Sequence, residues 1–376
     1  MRKILLRFAL FLPSLAFAQT YTYSVLARIP PNTGKMAASS TGFITIDSSG
    51  NLYGVAGIGT DGAVYKVTPK GVFSTLYSFG SKINDGIFPE GALIRDSAGN
   101  LYGLTESGGT KNDGVVFKVT PEGVETILHS FQQRNLPFHP SLARDSSGNI
   151  YGYATLGSSV NSISNILFKL APSGTFSTLY TFCSLPNCTD GEFPAGGPIV
   201  SKSGNIYGVA ALDGEFGFGL VYEFTASGDY NVLYNFTGGL DGATPQDKLV
   251  QDAEGNLYGT TLAGGTDSAG TVFEINAAGI ESVLHSFCLE TNCAFEPSGP
   301  VIRDAQGNLY GITTGGGTNR GGVVYRVAAD GNYAVLYDGG APGLGHALAM
   351  DSEGNLYGVT FGQGTMNAEI YKLTKH

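Results

Sequence analysis

One octapeptide recurs seven times along the chain, and it constrains the fold more than any other feature. It reads DSSGNLYG at 47–54, DSAGNLYG at 96–103, DSSGNIYG at 145–152 and SKSGNIYG at 201–208. It returns as DAEGNLYG at 252–259, DAQGNLYG at 304–311 and DSEGNLYG at 351–358. The tyrosines Tyr53, Tyr102, Tyr151, Tyr207, Tyr258, Tyr310 and Tyr357 are separated by 49, 49, 56, 51, 52 and 47 residues. A unit of about 50 residues is long for a solenoid rung and suits a four-stranded blade.

The second unit shows the four strands. GALIRD (91–96), NLYGLT (100–105), GVVFKVT (114–120) and VETILHSF (124–131) are strand-length runs rich in β-branched and aromatic residues. SAG, PEG and the loop ESGGTKND separate them. The repeated D-x-x-G-N is a hairpin turn. Its Asp accepts from a backbone N–H two residues on, and its Gly supplies positive φ. The Leu and Tyr that follow point to opposite faces of a strand. Both are apolar, so both faces of each sheet are expected to be buried, as when sheets stack face to face around an axis. The third strand carries an aromatic in every unit, from Tyr65 and Phe117 to Tyr371. A charged residue follows each one, placing the edge of burial there.

The ends of the chain complete the argument. The last unit holds three strands, HALAMD (346–351), NLYGVT (355–360) and AEIYKLT (368–374). TYTYSVLARI (20–29) resembles the fourth-strand segment NYAVLYD (332–338). An N-terminal strand that completes the last blade closes the ring and removes sheet edges. The expected fold is an all-β, seven-bladed β-propeller of four-stranded blades, one domain over residues 19–376.

Residues 1–18 read as a secretory signal peptide. Arg2 and Lys3 precede an apolar stretch, and Ala16-Phe17-Ala18 is a small-x-small cleavage site. No other run reaches transmembrane length, so a secreted protein without a membrane span is expected. The formal charge is −10. Removing residues 1–18 takes away Arg2, Lys3 and Arg7 and leaves −13. Such acidity opposes nucleic acid as a partner. In an exported chain the C-x4-C pairs Cys183/Cys188 and Cys288/Cys293 read as two local disulfides. Zinc is the rival reading, and no accompanying ligand pattern supports it.

The units NLYGLTESGGTKNDGVVFKVTPEGVETILHSF (100–131) and NLYGTTLAGGTDSAGTVFEINAAGIESVLHSF (256–287) resemble the GloVer (Gloeo-Verruco) tandem repeat of exported bacterial proteins. The shared pattern is GNLYG, a GG-T loop, V-[FY]-[KE] and VL-[HY]-SF. The resemblance implies an extracellular or envelope location and no established activity. The D-x-x-G-N-[LI]-Y turn is also similar, more weakly, to NHL-type propellers.

Function is expected in the loops that lead into each blade. They carry Asp85, His139, Asp190, Glu192, Asp241, Glu296 and His346 as candidate ligand-binding residues. The first reading is a binding module for a glycan or a protein. The alternatives are a polysaccharide hydrolase or lyase built from carboxylates and His in those loops, or a structural envelope component. No nucleophile, zinc-protease or phosphate-loop signature is present, and the catalytic residues are unassigned. No cofactor is expected. Carboxylates at a ring mouth would suit Ca²⁺, but no D-x-D-x-D-G loop exists. A monomer is the expected state. Arg95, Arg144 and Arg303, just before the turn aspartates, are expected to pair with nearby Asp residues. His129 and His285 align with strand tyrosines and are expected to be packed.

Overall fold

The computed structural model describes residues 20–30, 43–132, 141–156, 164–290, 293–340, 343–360 and 368–376. The signal-peptide reading and His139 lie outside the described residues. Seven antiparallel sheets follow one another along the chain. Blade 1 is built from Thr45–Ile46, Leu52–Ala56, Ala63–Val67 and Phe73–Ser78, and blade 2 from Gly86–Arg95, Leu101–Gly108, Val115–Val119 and Glu125–Ser130. Blades 3 to 6 repeat the order, with the innermost strand of blade 5 split into Ala243–Pro245 and Val250–Gln251. Blade 7 is Leu344–Met350, Leu356–Thr360 and Glu369–Lys375, completed by Tyr21–Arg28 from the other end of the chain. The join runs from Tyr21 opposite Lys375 to Arg28 opposite Glu369. Tyr23 stacks on Tyr337 of blade 6 at 4.6 Å and on Tyr371 at 5.6 Å.

The core lies between blades. Leu101 packs with Tyr53, Val55 and Val64 of blade 1, while its neighbour Tyr102 packs with Leu142, Ile150 and Phe168 of blade 3. Each of the seven apolar clusters bridges two consecutive blades, and one joins Ile44 and Leu52 of blade 1 to Tyr357 and Ile370 of blade 7. That last cluster closes the ring.

The Gly after each Leu-Tyr pair has a packing cause. Gly103 pairs with Phe117, and a Cβ on Gly103 would stand 2.6 Å from the Phe117 ring. The same approach recurs at Gly54 against Tyr65, Gly259 against Phe273 and Gly358 against Tyr371. The tip of the third-strand aromatic packs against a bare backbone.

The turns behave as the sequence requires. Asp47 Oδ1 accepts the Ser49 and Asn51 amides at 2.9 Å, and Oδ2 accepts the Tyr53 hydroxyl at 2.9 Å and the Asn51 side chain at 3.0 Å. Burial alone would raise the pKa of Asp47. These donors outweigh it and hold the carboxyl below its ordinary value. Blade 4 has Ser201 where the others have Asp. There Glu223 on the third strand takes over, accepting from Asn205 at 2.7 Å and Tyr207 at 2.8 Å.

Candidate functional site

Two ends of the ring carry the chemistry. On the loop-bearing face, Asp85, Asp190 and Asp241 occupy equivalent positions. Each accepts a hydrogen bond from the tyrosine on the preceding blade's last strand: Tyr77 at 2.7 Å, Tyr180 at 2.7 Å and Tyr234 at 3.0 Å. The amides of Ser81, Ser184 and Thr237 donate to the same carboxylates. Each carboxylate therefore clamps the crossing from one blade to the next. Burial pushes the pKa of Asp190 and Asp241 up, and the donors more than reverse it, so both lie below the ordinary value.

Two of the loops without such an Asp follow blades 2 and 5, where His replaces the tyrosine. His129 stacks on Phe176 at 4.3 Å and His285 on Tyr333 at 3.9 Å. Burial lowers the pKa of both, that of His285 to about 4. They are packed strand residues, as their alignment suggested.

Glu296 is exposed and sits at φ +56° before Pro297. The same left-handed backbone precedes a proline at Phe88 (φ +58°), Phe193 (φ +52°) and Thr244 (φ +56°). A bulky or β-branched residue there is a true outlier. Its partner is the preceding blade: the Phe88, Thr244 and Glu296 amides donate to the carbonyls of Asp61, Phe218 and Ala269. His346 is partly buried, with its pKa lowered by burial. Its Nδ1 hydrogen-bonds the Ser298 hydroxyl, and its ring lies 6.4 Å from that of Phe43. Candidates spread along the sequence thus remain spread around the ring.

One cluster stands apart, on blade 4. Glu192 pairs across the sheet with Leu212, and its carboxyl lies beside that of Asp213. Burial raises the Glu192 pKa, and the hydrogen bond to Asp213 raises it further. Phe193, next to Glu192 in its strand, and Phe216 and Phe218, in the loop that carries Asp213, are 48, 51 and 43% exposed. Asp213 bridges to Phe218, whose ring covers Gly238. Leu185, in the loop closed by the Cys183–Cys188 disulfide, is also exposed. The second disulfide, Cys288–Cys293, braces the loop ahead of Glu296. The sequence did single out Glu192. The phenylalanines went unremarked because an apolar residue in a loop reads as core until its exposure is seen.

The other end is the central channel, where the innermost strands converge. A cavity of about 550 Å³ opens between Ile44, Asp47, Ala92, Arg95, Ser141 and Lys248. Arg95 lies 6.0 Å from the Tyr53 ring, Arg144 5.4 Å from Tyr102 and Arg303 5.3 Å from Tyr258. Arg303 also pairs with Asp252 at 3.6 Å. The arginines therefore cover neighbouring tyrosines more than they pair with aspartates. Asp247 and Lys248, not among the sequence candidates, are enclosed here. Burial raises the pKa of Asp247 to about 7 and lowers that of Lys248 to about 8.

A ring of seven four-stranded blades, with inter-blade cores and an N-terminal strand closing the last blade, defines a β-propeller. The Gloeobacter/Verrucomicrobia repeat matches residues 15–199 and 141–371, and the chain belongs to that family. Among solved structures it is similar to a streptogramin B lyase, with TM-score 0.63 and 15% identity over 95% of this chain and 98% of the other. It is similar to virginiamycin B lyase from Staphylococcus aureus, with TM-score 0.60 and 14% identity over 94% and 99% of the two chains. The extracellular domain of the putative one component system BT4673 from B. thetaiotaomicron gives TM-score 0.56 and 11% identity over 91% of this chain and 39% of that one. At these identities the likeness is one of fold. No curated protein matches the chain.

Proposed function

We propose that the protein is an exported glycan-binding module whose contact surface is the blade 4 corner of the loop-bearing face. The observation that carries this reading is the set of three exposed phenylalanines on the two chain segments that bring Glu192 and Asp213 together. Solvated aromatic surface is costly, and a rimmed apolar patch marks an interaction surface. The C–H face of a pyranose covers such rings, while its hydroxyls hydrogen-bond the two carboxyl groups. The left-handed backbone at Phe193 holds that ring outward at a cost in strain, a feature that clusters at ligand contacts. Two disulfides suit an oxidising compartment, where such a surface meets glycans.

Affinity electrophoresis through a panel of soluble polysaccharides tests this. One glycan class should retard the wild-type protein. Phe193→Ala and Phe216→Ala should each weaken binding about three- to tenfold, the worth of one aromatic contact. Equal retardation of wild type and both variants would reject the surface. Binding only to a protein ligand would reject the glycan.

A further inference from the structure

We infer that the central channel is a second binding site, specific for a small carboxylate held between the Lys248 ammonium and the Ser141 hydroxyl. Four residues before each turn Asp, or Ser201 in blade 4, the innermost segment of each blade carries one equivalent residue. Five of these are Phe43, Ala92, Gly197, Pro300 and Ala347, which offer no hydrogen-bonding side chain. The other two are Ser141 and Lys248, on blades 3 and 5. Gly197 on blade 4 lies between them. A Cβ there would stand 2.6 Å from Ser141 Cβ, and bare backbone lets the two flanking blades draw together. Lys248 Nζ reaches past it to the Leu142 carbonyl at 2.9 Å.

Both groups are under-used. An ammonium has three donors, and Leu142 is the one hydrogen-bond acceptor of Lys248 among the described residues. No carboxylate among them lies within ion-pairing distance of it. Asp247, its neighbour in sequence, turns away to Thr260 at 3.4 Å and to the Gly299 amide. Ser141 is 3% exposed, and its Oγ has no hydrogen-bond partner among the described residues. A buried hydroxyl without a partner costs free energy that a ligand oxygen would recover. Both residues line the 550 Å³ cavity. Asp47 also lines it, but its oxygens are taken by its own turn, and Arg95, also in the lining, keeps the local balance positive. The Lys248 ammonium beside the Ser141 hydroxyl matches the two oxygens and single charge of a carboxylate. The apolar wall of Ile44 and Ala92 takes the body of the ligand.

Lys248 also ties blade 5 to blade 3, so a purely structural strut is the competing account. Isothermal titration with D-glucuronate and benzoate, and with D-glucose as the neutral control, separates them. At least one carboxylate should bind and glucose should not. Lys248→Met should weaken that binding at least about tenfold, as loss of a charged hydrogen bond does. Lys248→Arg should retain part of it. Ser141→Ala removes only an unpaired hydroxyl, so it should fold normally and still lose affinity a few-fold. Failure of both carboxylates to bind the wild-type protein, undiminished binding by Lys248→Met, or equal binding of glucose would overturn the inference.

Discussion

At the scale of single residues, the molecule separates carboxylates that serve turns from those that carry a cost. The turn aspartates are surrounded by donors, and their lowered pKa values mean that they stabilise the fold. That contribution is present above the unfolded value and fades as pH falls through the lower folded one. Asp247 is the reverse case. Its folded pKa of about 7 lies above the value of 3.8 it has when exposed. Between those two values the unfolded chain releases the proton and the folded chain keeps it, so this group lowers stability as pH rises from about 4 to 7. Asp247→Asn keeps an acceptor for Thr260 and removes the penalty. Its thermal midpoint relative to wild type should climb across that pH range and level off above it, which melting curves at a series of pH values would check. A constant difference would mean that Asp247 does not titrate in that window. Asp247 and Lys248 show what the sequence could not convey. Each is an ordinary polar residue in the break between Ala243–Pro245 and Val250–Gln251, and only the packing of blade 5 against its neighbours encloses them.

At the scale of the strand and turn, most of the structure was legible. The alternation of Leu and Tyr after each turn predicted two buried faces, and Leu101 and Tyr102 enter different inter-blade cores. The split final blade was readable from the resemblance of 20–29 to a fourth strand. Two features were present in the sequence and went unread. The Gly of each Leu-Tyr-Gly meets the third-strand aromatic, a cross-strand pairing that only the hairpin register reveals. Tyrosines 77, 180 and 234 go with an Asp-Gly in the next loop, and His129 and His285 with its absence. Gly103→Ala would force Phe117 or the backbone to move and should destabilise by about 1–3 kcal/mol through overpacking, measurable by denaturant unfolding. An unchanged midpoint would show that the ring has room to shift.

At the scale of the whole molecule, the ring is held by seven inter-blade cores and one long-range join. Tyr21–Arg28 brings the first described residues against the last. A chain lacking residues 20–30 would bare the edge of blade 7 and lose the Tyr23 stack. It should lose more than about 4 kcal/mol, in the range reserved for gross structural loss, and associate through the open edge. Sedimentation and thermal unfolding of that truncation would check both. The closed ring presents different chemistry at its two ends, aromatic and carboxyl groups on the loop-bearing face and the Lys248 ammonium in the channel. The sequence offered the loop carboxylates as ligand contacts, yet Asp85, Asp190 and Asp241 turn out to be clamped by tyrosines, and the exposed phenylalanines were visible only in three dimensions. The most direct measurement on the central claim is thermal unfolding of the mature protein across a panel of polysaccharides and oligosaccharides. A ligand that binds only the folded state must raise the midpoint. The account predicts a rise with one glycan class in the wild-type protein and a much smaller rise in a Phe193→Ala/Phe216→Ala variant. No rise with any glycan, or an equal rise in that variant, would contradict it.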